Sequence, residues 1–89
     1  MNKIIAKFSG ALADTVGEEF VVHKPFASIL EIAYEVESSF DGLSLTMGCY
    51  LQPYITTIFN GEIIPYSLVS EYELLNGDEV LFMTAMAGG

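Results

Sequence analysis

Leu75-Asn76-Gly77-Asp78-Glu79-Val80-Leu81-Phe82-Met83-Thr84-Ala85-Met86-Ala87-Gly88-Gly89 closes the chain. Asn76-Gly77-Asp78 is a turn signal. From Glu79 the pattern alternates, with Val80, Phe82 and Thr84 on one face and Leu81, Met83 and Ala85 on the other, which predicts a long strand over 79–86. Only small residues follow. At average glycine usage a terminal Gly-Gly arises by chance in about one chain in two hundred, so the pair gains meaning from its position directly behind a strand.

Working back from that strand, 54–59 is rich in β-formers and Asn60-Gly61 is a strong hairpin signal. Glu62-Ile63-Ile64 returns and Pro65 ends the pairing. At the other end of the chain, Ile4, Ala6 and Phe8 alternate with Lys3, Ile5 and Lys7, a first strand. The stretch 9–17 reads as a connection. Phe20 and Val22 share a face of a second strand over 19–23, which Pro25 closes. Residues 28–39 have helical spacing: Phe26, Ile29 or Leu30, Ala33, Val36 and Phe40 fall on one stripe, with Glu31, Glu35 and Ser38 opposite. Glu31 near the start suits the helix dipole, and Asp41-Gly42 ends the helix. Residues 42–53 are broken by Gly48 and Pro53 yet carry Leu43, Leu45, Met47 and Leu51, so a packed loop or short helix is expected. Residues 67–75 read as a turn or one helical turn.

This order predicts an α+β fold: a mixed four- to five-stranded sheet with one main helix packed on one face, its first and last strands parallel if the helix unit connects them right-handedly. The domain spans 1–86, and 87–89 form a flexible tail. Thr57, Phe59, Val80 and Phe82 should face the helix. Ile58, Leu81 and Met83 then point to the uncovered face and, with Met86 and Ala87, make a candidate partner-binding patch beside the tail. The alternative is that 42–53 folds over them.

Eighty-nine residues fit one domain with one core. Twelve carboxylate side chains face three lysines and no arginine, and the net charge is −9. That charge repels phosphates and anionic lipid, so neither nucleic acid nor membrane is an expected partner; it suits a partner with a basic surface, or serves solubility alone. The first residues lack the apolar run of a secretory leader, and no stretch has the ~18 apolar residues of a span; the expected setting is the cytoplasm. Cys49 is the only cysteine. It permits neither an internal disulfide nor a cysteine-rich zinc site, so no metal is expected. Nothing places the lone His23 beside it, and a buried apolar role for Cys49 is the expected one.

With no catalytic constellation elsewhere, attention falls on the C-terminal carboxylate. A carboxylate is a poor electrophile until it is phosphorylated or adenylated. To reach ATP inside another protein a tail must be slim, and glycine permits close backbone approach.

Four stretches together resemble the MoaD/ThiS sulfur-carrier family and, more remotely, ubiquitin. They are Phe8-Ser9 with Leu12 and Gly17; Ile58-Phe59-Asn60-Gly61-Glu62; Leu75-Asn76-Gly77-Asp78-Glu79-Val80; and Ala87-Gly88-Gly89. The spacing from Gly77-Asp78-Glu79-Val80 to the terminal pair is the most specific. The resemblance implies a ubiquitin-like β-grasp fold and a protein co-substrate rather than an enzyme. A ubiquitin-activating-type enzyme would adenylate Gly89, with Gly88 as its slim neighbour. ATP would be used by that partner, and the carrier would hold no permanent cofactor. A persulfide donor would convert the adenylate to a thiocarboxylate, and a large synthase subunit or other acceptor enzyme would take the sulfur for a molybdenum or tungsten pterin or a thiazole. Thr84-Ala85-Met86 stands where family members often carry two prolines, and an arginine common after the first strand is missing. The alternatives are a modifier forming isopeptide bonds through Gly89, a binding module of the same fold, and a small acidic enzyme subunit.

Overall fold

The structure is a computed structural model that describes residues 2–84. Five strands form the main sheet: β1 (Ile4–Ser9), β2 (Glu19–Val22), β6 (Ile55–Phe59), β7 (Glu62–Ile64) and β9 (Glu79–Thr84), in the order β2-β1-β9-β6-β7. β1 and β9 run parallel in the middle and every other pairing is antiparallel. This is the mixed sheet of a β-grasp fold, and helix α2 (Ile29–Ser39) covers one of its faces. The boundary expected between 86 and 87 lies outside the described residues.

Burial follows the alternation. Ile4, Ala6 and Phe8 of β1, Val80 and Phe82 of β9, and Ile55 and Thr57 of β6 are buried with Ile29, Ile32, Ala33 and Val36 of α2. Phe8 and Phe82 stack with ring centroids 5.4 Å apart. Phe40 packs at the core margin, edge-on to Phe20. Helix α2 starts at a capping box: Ser28 Oγ accepts from the Glu31 N–H at 3.0 Å, and the Glu31 carboxylate accepts from the Ser28 N–H at 2.9 Å. Asn60 and Gly61 both take positive φ (56° and 78°), the requirement of the two-residue turn that joins β6 to β7.

The structure departs from the sequence reading in five places. Residues 9–17 are not a bare connection: Ala11–Val16 forms a helix, α1, whose Leu12 is buried. Phe26 does not belong to the helical stripe. It lies in a short strand, β3 (Phe26–Ser28), which pairs antiparallel with β8 (Glu73–Leu75) as a second small sheet. There Ala27 and Leu74 point inward, while Phe26 and Leu75, directly paired, remain exposed. Residues 67–75 thus contribute a strand as well as the end of a 3-10 turn at Tyr66–Leu68. Residues 42–53 are neither loop nor helix but carry a hairpin of β4 (Thr46–Met47) and β5 (Tyr50–Leu51). Leu45 and Leu51 enter the core from it. Finally, Cys49 is exposed, because Gly48-Cys49 is the turn of this hairpin and points away from the core.

Two side chains of α2 hold the hairpin. The Glu37 carboxylate of α2 accepts the N–H groups of Leu45 and Thr46, each at 2.6 Å, and the Thr46 hydroxyl at 2.8 Å. Tyr34 donates to the Gly48 carbonyl at 2.7 Å. The hairpin therefore docks against the helix.

Candidate functional site

Two features converge at one end of β9: the sheet face opposite α2, and the root of the C-terminal segment. The register builds the face. Residues that alternate with the buried set stand in a row across all five strands, in the order Glu19, Lys7, Leu81, Ile58, Ile63. A shorter row beside it joins Ser9, Met83 and Thr56. Ile58, Leu81 and Met83 are half-buried by their neighbours in the sheet, and Ile63 is 71% exposed. Among the described residues the α2 and hairpin segments pack on the other side. The sequence reading singled out three members of this surface and missed Ile63, which alternation in Glu62-Ile63-Ile64 could have supplied. Met86, Ala87, Gly88 and Gly89 lie outside the described residues.

Charge frames the apolar row on one side. The Lys7 ammonium lies 3.4 Å from a Glu79 oxygen and 3.9 Å from one of Glu19. All three side chains are about half exposed, so these pairs contribute little to stability and instead set a charged border. Next to it a cleft of about 420 Å³ is lined by Lys7, Phe8, Ser9, Gly10, Ala13, Glu18, Glu19 and Leu81. Its walls mix apolar and charged groups without a nucleophile–base pair. Surface recognition is what such a lining can do.

At the root, Thr84 is the partner of Ile55 in the β6–β9 ladder. The parallel β1–β9 ladder ends one residue earlier, at Ser9 and Met83. Five residues of sequence, Ala85 to Gly89, follow Thr84, a reach of at most about 17 Å when extended.

Other sequence candidates are dispersed. His23 follows β2 at one edge of the sheet, while Cys49 tips the hairpin. Among the described residues no group of three His, Cys, Asp or Glu is arranged to hold a metal ion, and no helix is long and apolar enough to cross a membrane.

Against curated protein sequences the chain has no match. It is similar to a chain in the Amycolatopsis orientalis BexX/CysO complex at 30% identity, covering 97% of this chain and 99% of that one with a TM-score of 0.72. The Haloferax volcanii HVO 2177 protein is 19% identical, with 99% and 87% covered and a TM-score of 0.74. Small archaeal modifier protein 1 of H. volcanii is 16% identical, with 97% and 100% covered and a TM-score of 0.73. These last two likenesses establish the shared fold. The sequence model of the ThiS family matches residues 6–89, from the first strand through the terminal glycines. On that match, and on the ubiquitin-like architecture beneath it, this chain belongs to the ThiS family of small ubiquitin-like sulfur carriers.

Proposed function

We propose that the Gly89 carboxylate is the reacting group of a sulfur carrier. The carboxylate attacks the α-phosphate of ATP in a ubiquitin-activating-type enzyme, releasing pyrophosphate. The outer sulfur of a persulfide then attacks the acyl carbon, forming a C–S bond and displacing AMP. A thiol that attacks the donor sulfur of the resulting acyl disulfide cleaves the persulfide's S–S bond, leaving a thiocarboxylate and a disulfide between thiol and donor. The carrier itself keeps no cofactor; ATP and the sulfur donor belong to its partners. The thiocarboxylate delivers its sulfur to an acceptor enzyme or large synthase subunit that makes a sulfur-containing cofactor.

One observation carries this reading: the family match continues to Gly89, and β9, the strand leading there, is a central strand of the sheet with ladders on both sides up to Met83. A rigid base thus delivers a glycine-ended segment. The partner docks on the row Leu81, Ile58, Ile63 with Met83, and with Met86 and Ala87 nearer the tail. The similarity to a chain solved in the BexX/CysO complex favours a carrier that acts while bound to other proteins.

The test is intact mass after incubation with the cognate adenylating enzyme, ATP and a persulfide donor. The expected product is the free chain with one oxygen replaced by sulfur. The name of the modifier protein sharing this fold favours a second reading, in which Gly89 forms an isopeptide bond. Higher-mass conjugates without a thiocarboxylate form would decide for it.

A further inference from the structure

We infer that Asn60 is a site of spontaneous amide-to-acid conversion in this chain, and that a clamp of Asn76 and Gly77 onto Lys3 spares the second Asn-Gly pair. The two pairs stand in matched sequence: Phe59-Asn60-Gly61-Glu62 and Leu75-Asn76-Gly77-Asp78. Each has a large apolar residue before the asparagine and a carboxylate after the glycine. A glycine that follows asparagine leaves its backbone nitrogen open to the side-chain amide, because no Cβ stands in the way. Once a base has removed its proton, that nitrogen attacks the asparagine Cγ. A C–N bond forms, the Cγ–Nδ2 bond breaks, and the amide nitrogen leaves as ammonia with a proton from water. Water then opens the cyclic imide at either carbonyl, which gives aspartate or its β-linked isomer. No oxidant or reductant takes part.

Asn60, Gly61, Asn76 and Gly77 are all exposed, so access to water and base does not separate the pairs. Hydrogen bonding does. Asn76 Oδ1 accepts the Lys3 N–H at 2.7 Å, and the Gly77 N–H donates to the Lys3 carbonyl at 2.8 Å. The Asn76 N–H donates to the Pro25 carbonyl at 3.1 Å. The attacking nitrogen and the amide it must reach are thus both tied to the backbone of Lys3, and both ties must open before the ring can close. The turn that carries them joins β8, which is paired with β3, to β9 in the middle of the main sheet. Among the described residues no such bond engages the Asn60 side chain or the Gly61 N–H. Their turn leads into β7, an edge strand of three residues that pairs with β6 alone. A short edge of this kind opens locally at low cost. Both products add a carboxylate to the turn. The β-linked one also lengthens its backbone by a carbon atom, beside the Ile58–Ile63 pair of the open face.

The experiment ages the full chain in warm, mildly alkaline buffer, folded and in concentrated urea, and follows the acid forms of each asparagine by peptide mass mapping. In the folded chain Asn60 should convert at least about tenfold faster than Asn76, since the bonds to Lys3 and Pro25 must open first. In urea the two rates should agree within about twofold, because their local sequences match and the clamp is gone. Lys3→Pro removes the N–H that holds Asn76 Oδ1 and should speed conversion at Asn76 about fivefold, the worth of one hydrogen bond, with Asn60 unchanged. Lys3→Ala keeps that N–H and should leave both rates at wild type. Conversion at Asn76 as fast as at Asn60 in the folded chain, no conversion at Asn60, or the same tenfold ratio in urea overturns the inference, as does a folded Lys3→Pro variant with the wild-type rate at Asn76. Should Lys3→Pro fail to fold, the folded and urea-treated wild-type chains decide.

Discussion

Ile58 stands directly opposite Leu81 in the β6–β9 ladder, and on its other side opposite Ile63 of β7. Three apolar side chains in one cross-strand row on the face opposite the helix need a reason, since exposed apolar surface of this kind marks interaction sites. Ile63→Glu should change stability by less than about 0.5 kcal/mol, as at an exposed position without special geometry. Affinity for the activating enzyme should fall at least tenfold. Ile58→Glu should act in the same direction with a larger stability cost, because Ile58 is half-buried. Denaturant melts together with titration calorimetry separate the two effects. Unchanged affinity in both variants would remove this face from the account.

The net charge of −9 with no arginine predicts electrostatically steered association with a basic partner. The on-rate in stopped flow should fall steeply between about 50 and 500 mM salt as screening shortens the reach of the field. An on-rate indifferent to salt would reduce the acidity to a solubility feature.

Glu37 ties helix α2 to the β4–β5 hairpin through two backbone N–H groups and one hydroxyl. Hydrogen bonds to a charged group contribute on the order of 1.5–3 kcal/mol. Glu37→Ala should therefore lower unfolding free energy by about 2 kcal/mol. Amide exchange should accelerate first at Leu45 and Thr46. A loss below about 0.5 kcal/mol would show that the packing of Leu45 and Leu51 and the Tyr34–Gly48 bond hold the hairpin without Glu37.

Thr57 is fully buried on the helix-facing side of β6, and its hydroxyl has no hydrogen-bond partner among the described residues. Leaving a buried hydroxyl unpaired costs on the order of 1–3 kcal/mol. Thr57→Val keeps the branched shape and removes the polar atom, so it should raise stability by about 1 kcal/mol in chemical denaturation. A destabilised valine variant would mean that the hydroxyl makes an interaction in solution.

The parts of the fold that were legible in the sequence are those where one periodicity runs long enough to speak alone. β1 and β9 show their buried sets by spacing, α2 shows Ile29, Leu30, Ala33 and Val36 but not the fully buried Ile32, and Asn60-Gly61 states its turn type by residue chemistry. The parts that were not legible depend on distant partners. β3 and β8 are three residues each and exist because they pair with one another; without Leu75 opposite it, Phe26 looks like the start of the helical stripe. α1 is six residues between two glycines, too short to show a period, although Leu12 and Val16 carry the right spacing. The capping box was written in Ser28 and Glu31, where charge near the helix start was the more obvious role for Glu31. Of the candidate site, the open sheet face followed from alternation. The pairing of Ser9 with Met83 at its edge did not, since it depends on the register between the two ends of the chain.

The central claim is that the Gly89 carboxylate reacts. The measurement that meets it most directly is ATP–pyrophosphate exchange by the cognate adenylating enzyme with the chain lacking Gly88 and Gly89, beside a thermal melt of the same protein. Both glycines follow the last patterned strand residue, so the melt should superimpose on that of the full chain. The new carboxylate would end about 7 Å short of the reacting position, and exchange should fall to background. Undiminished exchange by the truncated chain would contradict the claim.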